Sequence, residues 1–133
     1  MFTDENKCLK IKIKSSNFDN NRGLFYIANA SLILEDCTFT NIQKDSSNIK
    51  SVLFYSNAKS RFEHLVIKDS KFIDIDVMGE YPLIDAKGIK LEFENTNFIN
   101  CHSDYGYLFS IGNNIRIDKE VIISNSKFSS IYI

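Results

Sequence analysis

Proline occurs once in these 133 residues, at Pro82, and glycine only five times. Linkers and disordered tails are usually rich in both, so the chain reads as one domain over 1–133 with no interdomain hinge. Long apolar runs are missing as well. None approaches the roughly 20 residues that cross a bilayer as a helix. Residues 1–7 lack the apolar stretch of a signal peptide. Either the protein is cytosolic or the chain is a module of a longer exported protein; the expectation is the second, extracellular, with a leader that is not in this chain. Charge of one sign is lacking too: 16 basic and 17 acidic residues give a net charge of -1. That balance exerts no long-range pull on nucleic acid or anionic lipid, so neither a nucleic acid nor a membrane is expected as partner. Lys10, Lys12 and Lys14 alternate locally and read as the solvated face of a strand. Cysteine is scarce and odd in number. Cys8, Cys37 and Cys101 have irregular spacing, which excludes a disulfide framework and a CxxC metal site. Cys37 and Cys101 stand where other copies of the repeat have Ser, Thr or Ile, so both are expected to be small buried residues.

What is present is an apolar pattern in five copies. Ile11 and Ile13 lead to Phe18, Leu32 and Leu34 to Phe39, Leu65 and Ile67 to Phe72, Leu91 and Phe93 to Phe98, and Val121 and Ile123 to Phe128. Two residues before each phenylalanine stands Ser16, Cys37, Ser70, Thr96 or Ser126. Two residues after it stands Asn20, Asn41, Asp74, Asn100 or Ser130. Apolar residues two apart have the period of a strand. The break between the two apolar stretches marks a bend. The short polar residue past the phenylalanine suits a second bend, because Asn and Asp bond nearby backbone and tolerate left-handed conformations. A third apolar stretch follows in four copies, beginning at Leu24, Leu53, Leu83 and Leu108. Three short strands per copy, at separations of 21, 33, 26 and 30 residues between phenylalanines, fit an all-β, single-stranded right-handed parallel β-helix of about five coils. An antiparallel sandwich or barrel is the alternative. It does not require the same side chain at the same point of every turn, whereas a solenoid stacks like on like. The five phenylalanines are therefore expected to form one internal ladder.

The apolar pair, the S/C/T-x-F-x-N spacing and the following L-F-x-I, as in Leu24-Phe25-Tyr26-Ile27, resemble right-handed parallel β-helix proteins of the pectin-lyase-like group over residues 9–133. That resemblance implies an architecture more than a function, since the group spans lyases, hydrolases, adhesins and scaffolds. In its Asn-, Lys- and Ile-rich background the repeat is also similar to scaffoldin repeats of anaerobic-fungal cellulosomes. This narrower resemblance implies a cohesin-like module that anchors dockerin-bearing carbohydrate-active enzymes.

Catalytic constellations are weak. Asp74 and Asp76, two apart, would share a strand face about 6.5 Å apart and suit paired carboxylates. Asp74, however, occupies the bend position. Arg116 beside Asp118 and Lys119 is an ordinary surface pattern. His102 with Asp104 supplies two ligands, too few for a metal site, and His64 has no partner motif. Neither a nucleophile motif nor a phosphate loop is present. No enzyme activity, metal or cofactor is expected. Asn29-Ala30-Ser31 is a glycosylation triplet if the chain is exported.

A contact surface is the stronger expectation. The stretches 42–51, 75–82 and 101–107 lengthen one side of the solenoid, which is often the binding side. They gather Tyr81, Tyr105 and Tyr107 with Glu80, Asp76, His102 and Asp104. If Phe25, Phe54, Ile84 and Phe109 point inward, then Leu24, Leu53, Leu83 and Leu108 point outward beside Tyr26 and Tyr55. Those four leucines would make an apolar stripe of the kind that marks a contact; a bulge that turns both sets inward, or a long loop over the stripe, is the alternative. The expected function is a non-catalytic module that binds another protein, such as a dockerin domain. A polysaccharide lyase or hydrolase, or a surface adhesin, is the alternative, with carbohydrate as partner. Finally, the stretch 128–133 supplies a second strand and no third, so an open apolar edge is expected there.

Overall fold

A computed structural model describes residues 9–27, 30–43, 53–57, 63–77, 81–103, 108–112 and 120–131. These hold strands and bends and no helix, so none is long and apolar enough to cross a membrane. The strands in chain order are β1 (Leu9–Lys14), β2 (Asn17–Asp19), β3 (Phe25–Ile27), β4 (Ala30–Glu35), β5 (Thr38–Thr40), β6 (Phe54–Asn57), β7 (His64–Lys68) and β8 (Lys71–Ile73). They continue as β9 (Asp76–Val77), β10 (Ile84–Lys87), β11 (Lys90–Glu94), β12 (Asn97–Ile99), β13 (His102–Ser103), β14 (Phe109–Gly112), β15 (Val121–Ser124) and β16 (Lys127–Ser129).

Every pairing between them is parallel. The first sheet runs β1-β4-β7-β11-β15, the second β2-β5-β8-β12-β16 and the third β3-β6-β10-β14. Each of the first four copies of the sequence pattern therefore gives one strand to each sheet, the fifth gives one to the first and second sheets, and successive copies lie side by side. A fourth, two-stranded sheet joins β9 to β13, and an isolated bridge joins Arg22 to Gln43 at the same point of the two earlier copies. The expectation of three strands per copy missed this short segment.

Register puts like on like. Ile11, Leu32, Leu65, Leu91 and Val121 form one column, and Ile13, Leu34, Ile67, Phe93 and Ile123 the next. Phe18, Phe39, Phe72, Phe98 and Phe128 stack with centroids 4.9, 4.7, 4.8 and 4.8 Å apart and rings within 7° of parallel. That spacing is the separation of neighbouring strands, so the backbone ladder dictates the ring ladder. The rings of Phe39, Phe72 and Phe98 are completely buried.

Two bends recur in left-handed backbone. Asn20, Asn41, Asp74, Asn100 and Ser130 have φ between 52° and 55°. Ser15, Asp36, Asp69, Asn95 and Asn125, at the first bend, have φ between 47° and 55°. Short polar side chains tolerate that region best after glycine. The small residue after the first bend has its own reason. Ser16, Cys37, Ser70, Thr96 and Ser126 each donate to the carbonyl two residues earlier. The hydroxyls of Ser70 and Ser126 also accept the N–H of Cys37 and Thr96 in the preceding copy. An alkyl group at Ser70 or Ser126 would take away the acceptor of those N–H groups, whereas the Glu35, Lys68, Glu94 and Ser124 carbonyls also accept a backbone N–H.

Candidate functional site

Four leucines were expected to face solvent, and the structure overturns this. Leu53 is 1% exposed, Leu83 0% and Leu108 8%, and Leu24 packs against the core half-buried. The following Phe54 and Ile84 are buried as well. Alternation fails because Leu53, Leu83 and Leu108 sit in bends just before their strands. The Leu83 carbonyl accepts from both Leu53 N–H at 2.8 Å and Phe54 N–H at 3.2 Å. Two residues opposing one is the arrangement of a bulge, which re-aims consecutive side chains. Both therefore point inward and no leucine stripe exists.

Tyr26 does point outward and is exposed, as is Tyr81. Of Tyr55 only the backbone is described. Tyr105, Tyr107, Glu80, Asp104, Arg116, Asp118, Lys119, Cys8 and Asn29 lie outside the described residues, as do most of the long stretches between copies. Ser31 of the glycosylation triplet is buried, its hydroxyl accepting the His64 N–H at 3.0 Å. In register with Tyr55 and Ser110 on the third sheet stands Asp85, a buried carboxylate whose Oδ1 has no hydrogen-bond partner among the described residues. Its place in an apolar stretch hid it from the sequence reading.

Asp74 and Asp76 do not share a strand. β8 ends at Ile73 and β9 starts at Asp76, with Asp74 in the left-handed bend between them. Their carboxylates are engaged separately. Asp74 Oδ1 accepts from Asn100 Nδ2 at 2.5 Å, and Asp76 Oδ1 lies 3.1 Å from His102 Nδ1. Register explains the second pair, since His102 and Asp76 are direct partners across β13 and β9. These groups border a cleft of about 320 Å³. It is lined by Asn41, Asp74 and Asn100 from the bend ladder and by Gln43, Ile75, Asp76 and His102. The cleft offers amide, carboxylate and imidazole groups to a polar ligand. No group of three or more His, Cys, Asp or Glu able to hold a metal occurs among the described residues.

Cys37 and Cys101 are free and buried. Burial pushes the Cys101 thiol up to about 11, which holds it in the un-ionised, unreactive form. The outer face of the first sheet is charged in alternation. Lys14, Glu35, Lys68 and Glu94 stand in one row. Glu35 meets Lys12 at 2.7 Å and Lys14 at 3.1 Å, and Lys68 meets Glu94 at 2.7 Å. The lysines hold the Glu35 carboxyl below its ordinary range. This bears out the reading of Lys12 and Lys14 as a strand's solvated face.

The remaining conspicuous surface is the outermost unit. Val121 and Ile123 occupy core columns yet are 47% and 48% exposed, and Phe128, the last ring of the ladder, is 42% exposed. Ile111 of β14 is exposed beside them. β14, β15 and β16 each end their sheet, so one side of each meets no described strand. An unpaired strand edge over an open apolar layer is a template for pairing with another chain.

No protein-family model, no curated protein and no solved structure matches the chain. The class its own geometry defines is an all-β protein of stacked parallel sheets.

Proposed function

We propose that the chain winds as a single-stranded right-handed parallel β-helix of five coils and works as a non-catalytic protein-binding module. The winding is supported by three parallel sheets that each take one strand from successive copies of the pattern. The binding reading rests on one observation: in the outermost coil, core-column residues Val121, Ile123 and Phe128 lie nearly half exposed beside strand edges that meet no other described strand. A partner that lays a strand along such an edge gains backbone hydrogen bonds for affinity and side-chain pockets for specificity. The carboxylates of the cleft support the non-catalytic part, because Asp74 is engaged by Asn100 and Asp76 by His102. A cohesin-like role, holding dockerin-bearing carbohydrate-active enzymes outside the cell, is the narrower form of this proposal.

A pull-down with secreted carbohydrate-active enzymes tests it, using the chain and its Ile123→Asp variant side by side. Recovery of tagged enzymes that the variant loses supports the reading. The cleft favours a second reading, a glycan-active β-helix. Turnover of pectin or a related glycan, abolished by Asp76→Asn, would replace the first reading with the second.

A further inference from the structure

The cleft at the second bend is built from two columns that run along the stack. Asn41, Asp74 and Asn100 hold the left-handed bend in three successive units. Gln43, Asp76 and His102 stand two residues further on in the same units. Register sets neighbours in each column about 4.8 Å apart, so their polar ends form a grid and not a point. The hydrogen bonds within this grid leave it rich in acceptors. Asn41 directs an amide N–H to Asp19 Oδ1 at 3.5 Å, and Asn100 directs one to Asp74 Oδ1 at 2.5 Å. Asp76 Oδ1 is engaged by His102 Nδ1 at 3.1 Å. The amide oxygens of Asn41 and Asn100 and the second carboxylate oxygens of Asp74 and Asp76 then have no donor among the described residues. We infer that the cleft binds a guanidinium group, carried by an arginine side chain of a partner or by a free small molecule.

Charge and donor count select this group. Among the described residues the lining holds two carboxylates and no lysine or arginine. Arg22 stands in line with Gln43 one unit away, outside the lining. A cation is therefore favoured over an anion, and a uronate would meet the repulsion of Asp74 and Asp76. A bare metal ion lacks its ligand set, since no three His, Cys, Asp or Glu converge among the described residues. Four acceptors spread over two columns exceed what an ammonium serves with three N–H groups from one point. A guanidinium spreads five donors over a plane and matches carboxylate geometry. The volume of about 320 Å³ falls at the small end of ligand sites, about 300–1,000 Å³. This site lies away from the outermost unit and does not depend on the binding edge there.

Nuclear magnetic resonance titration of the full chain tests this, read at the side-chain amides of Asn41, Gln43 and Asn100. The probes are a capped Gly-Arg-Gly peptide and agmatine. The controls are the same peptide with citrulline, which keeps the shape and loses the charge, and galacturonate. Saturable shifts with a guanidinium probe and none with either control are expected. Binding of the peptide but not agmatine assigns the group to a partner's side chain, and the reverse assigns it to a small molecule. Asp74→Asn and Asp76→Asn should each weaken binding about two- to fivefold, the scale of an exposed ion pair, and together should leave no saturable shift. Asp74→Asn is compatible with the fold, because Asn20, Asn41 and Asn100 hold the same bend. Absence of saturable shifts with both guanidinium probes overturns the proposal. So does binding of citrulline peptide or galacturonate as tight as that of the arginine peptide, or undiminished binding by the folded double variant. Ile123→Asp should titrate like the wild type, so loss of the binding edge and loss of this site are read separately.

Discussion

The middle units and the outermost unit share the ring-stacking geometry of the second sheet and differ in their neighbours among the described residues, the last also giving no strand to the third sheet. Phe72 and Phe98 stack at 4.8 Å and 7°, and Phe98 and Phe128 at 4.8 Å and 2°. Phe72 has a ring on each face and is fully buried; Phe128 has one ring and is 42% exposed. Stacking geometry thus follows from backbone register, while burial follows from neighbours. In such a stack each unit is stabilised chiefly by the units it touches, and an end unit is held less firmly and offers more to a partner.

The largest effect should come from the third sheet. Leu53→Ser with Leu83→Ser places two hydroxyls in the middle of the core. Truncating a buried leucine costs about 2–5 kcal/mol against a total stability of about 5–15 kcal/mol. The double variant should be unfolded at 25 °C by circular dichroism, and a folded one would place the leucines outside. Phenylalanine truncation sharpens the comparison directly. Phe72→Ala should cost about 3–5 kcal/mol, and Phe128→Ala less than half as much in urea titrations. Equal costs would mean that the outermost coil is as enclosed as the middle ones.

A smaller effect belongs to the bends. Asn100 has φ 52° and donates to Asp74. Asn100→Ala loses the bond and meets the left-handed penalty of about 1–2 kcal/mol, which Asn100→Gly escapes. Glycine should therefore be the more stable replacement, and the reverse order would remove the backbone argument. The smallest effect is that of Cys101. Its thiol is pushed up to about 11 when folded and ionises near 8.5 when unfolded. The folded state holds the proton more tightly, so this contribution is full below about pH 8.5 and is lost as pH rises toward 11. Between those values wild type should lose more stability than Cys101→Ala, and parallel pH profiles would show an exposed thiol.

Much of the fold was legible because a stack repeats its requirements. Phe, Asn and the small hydroxyl recur at fixed spacing, and each recurrence has a physical cause in ring stacking, left-handed backbone or a satisfied carbonyl. The break between the two apolar stretches was read as a bend, but the left-handed residue within it, Ser15, Asp36, Asp69, Asn95 or Asn125, was not picked out, although its short polar composition is the same as at the second bend. The leucines were misread because alternation holds only within a strand, and the bend before β6, β10 and β14 lies one residue away from where the apolar run begins. The sequence placed Asp76 and His102 on one side of the stack, but their direct pairing and the cleft were not legible, since two residues 26 apart in sequence become partners only through register. The open edge was expected near 128–133; its exposed members also include Ile111 and Val121 from other strands.

Amide hydrogen exchange in dilute solution tests the central claim most directly, namely that the outermost unit repeats the first two sheets of the middle units with a described neighbour on one side only. Asp69 and Lys71 donate within the middle of the stack, to Glu94 and Cys37 carbonyls, while Lys127 donates from the outermost unit to Thr96. The account expects Asp69 and Lys71 to exchange only with global unfolding and Lys127 to exchange markedly faster, through local opening. Equal protection at all three positions would contradict it.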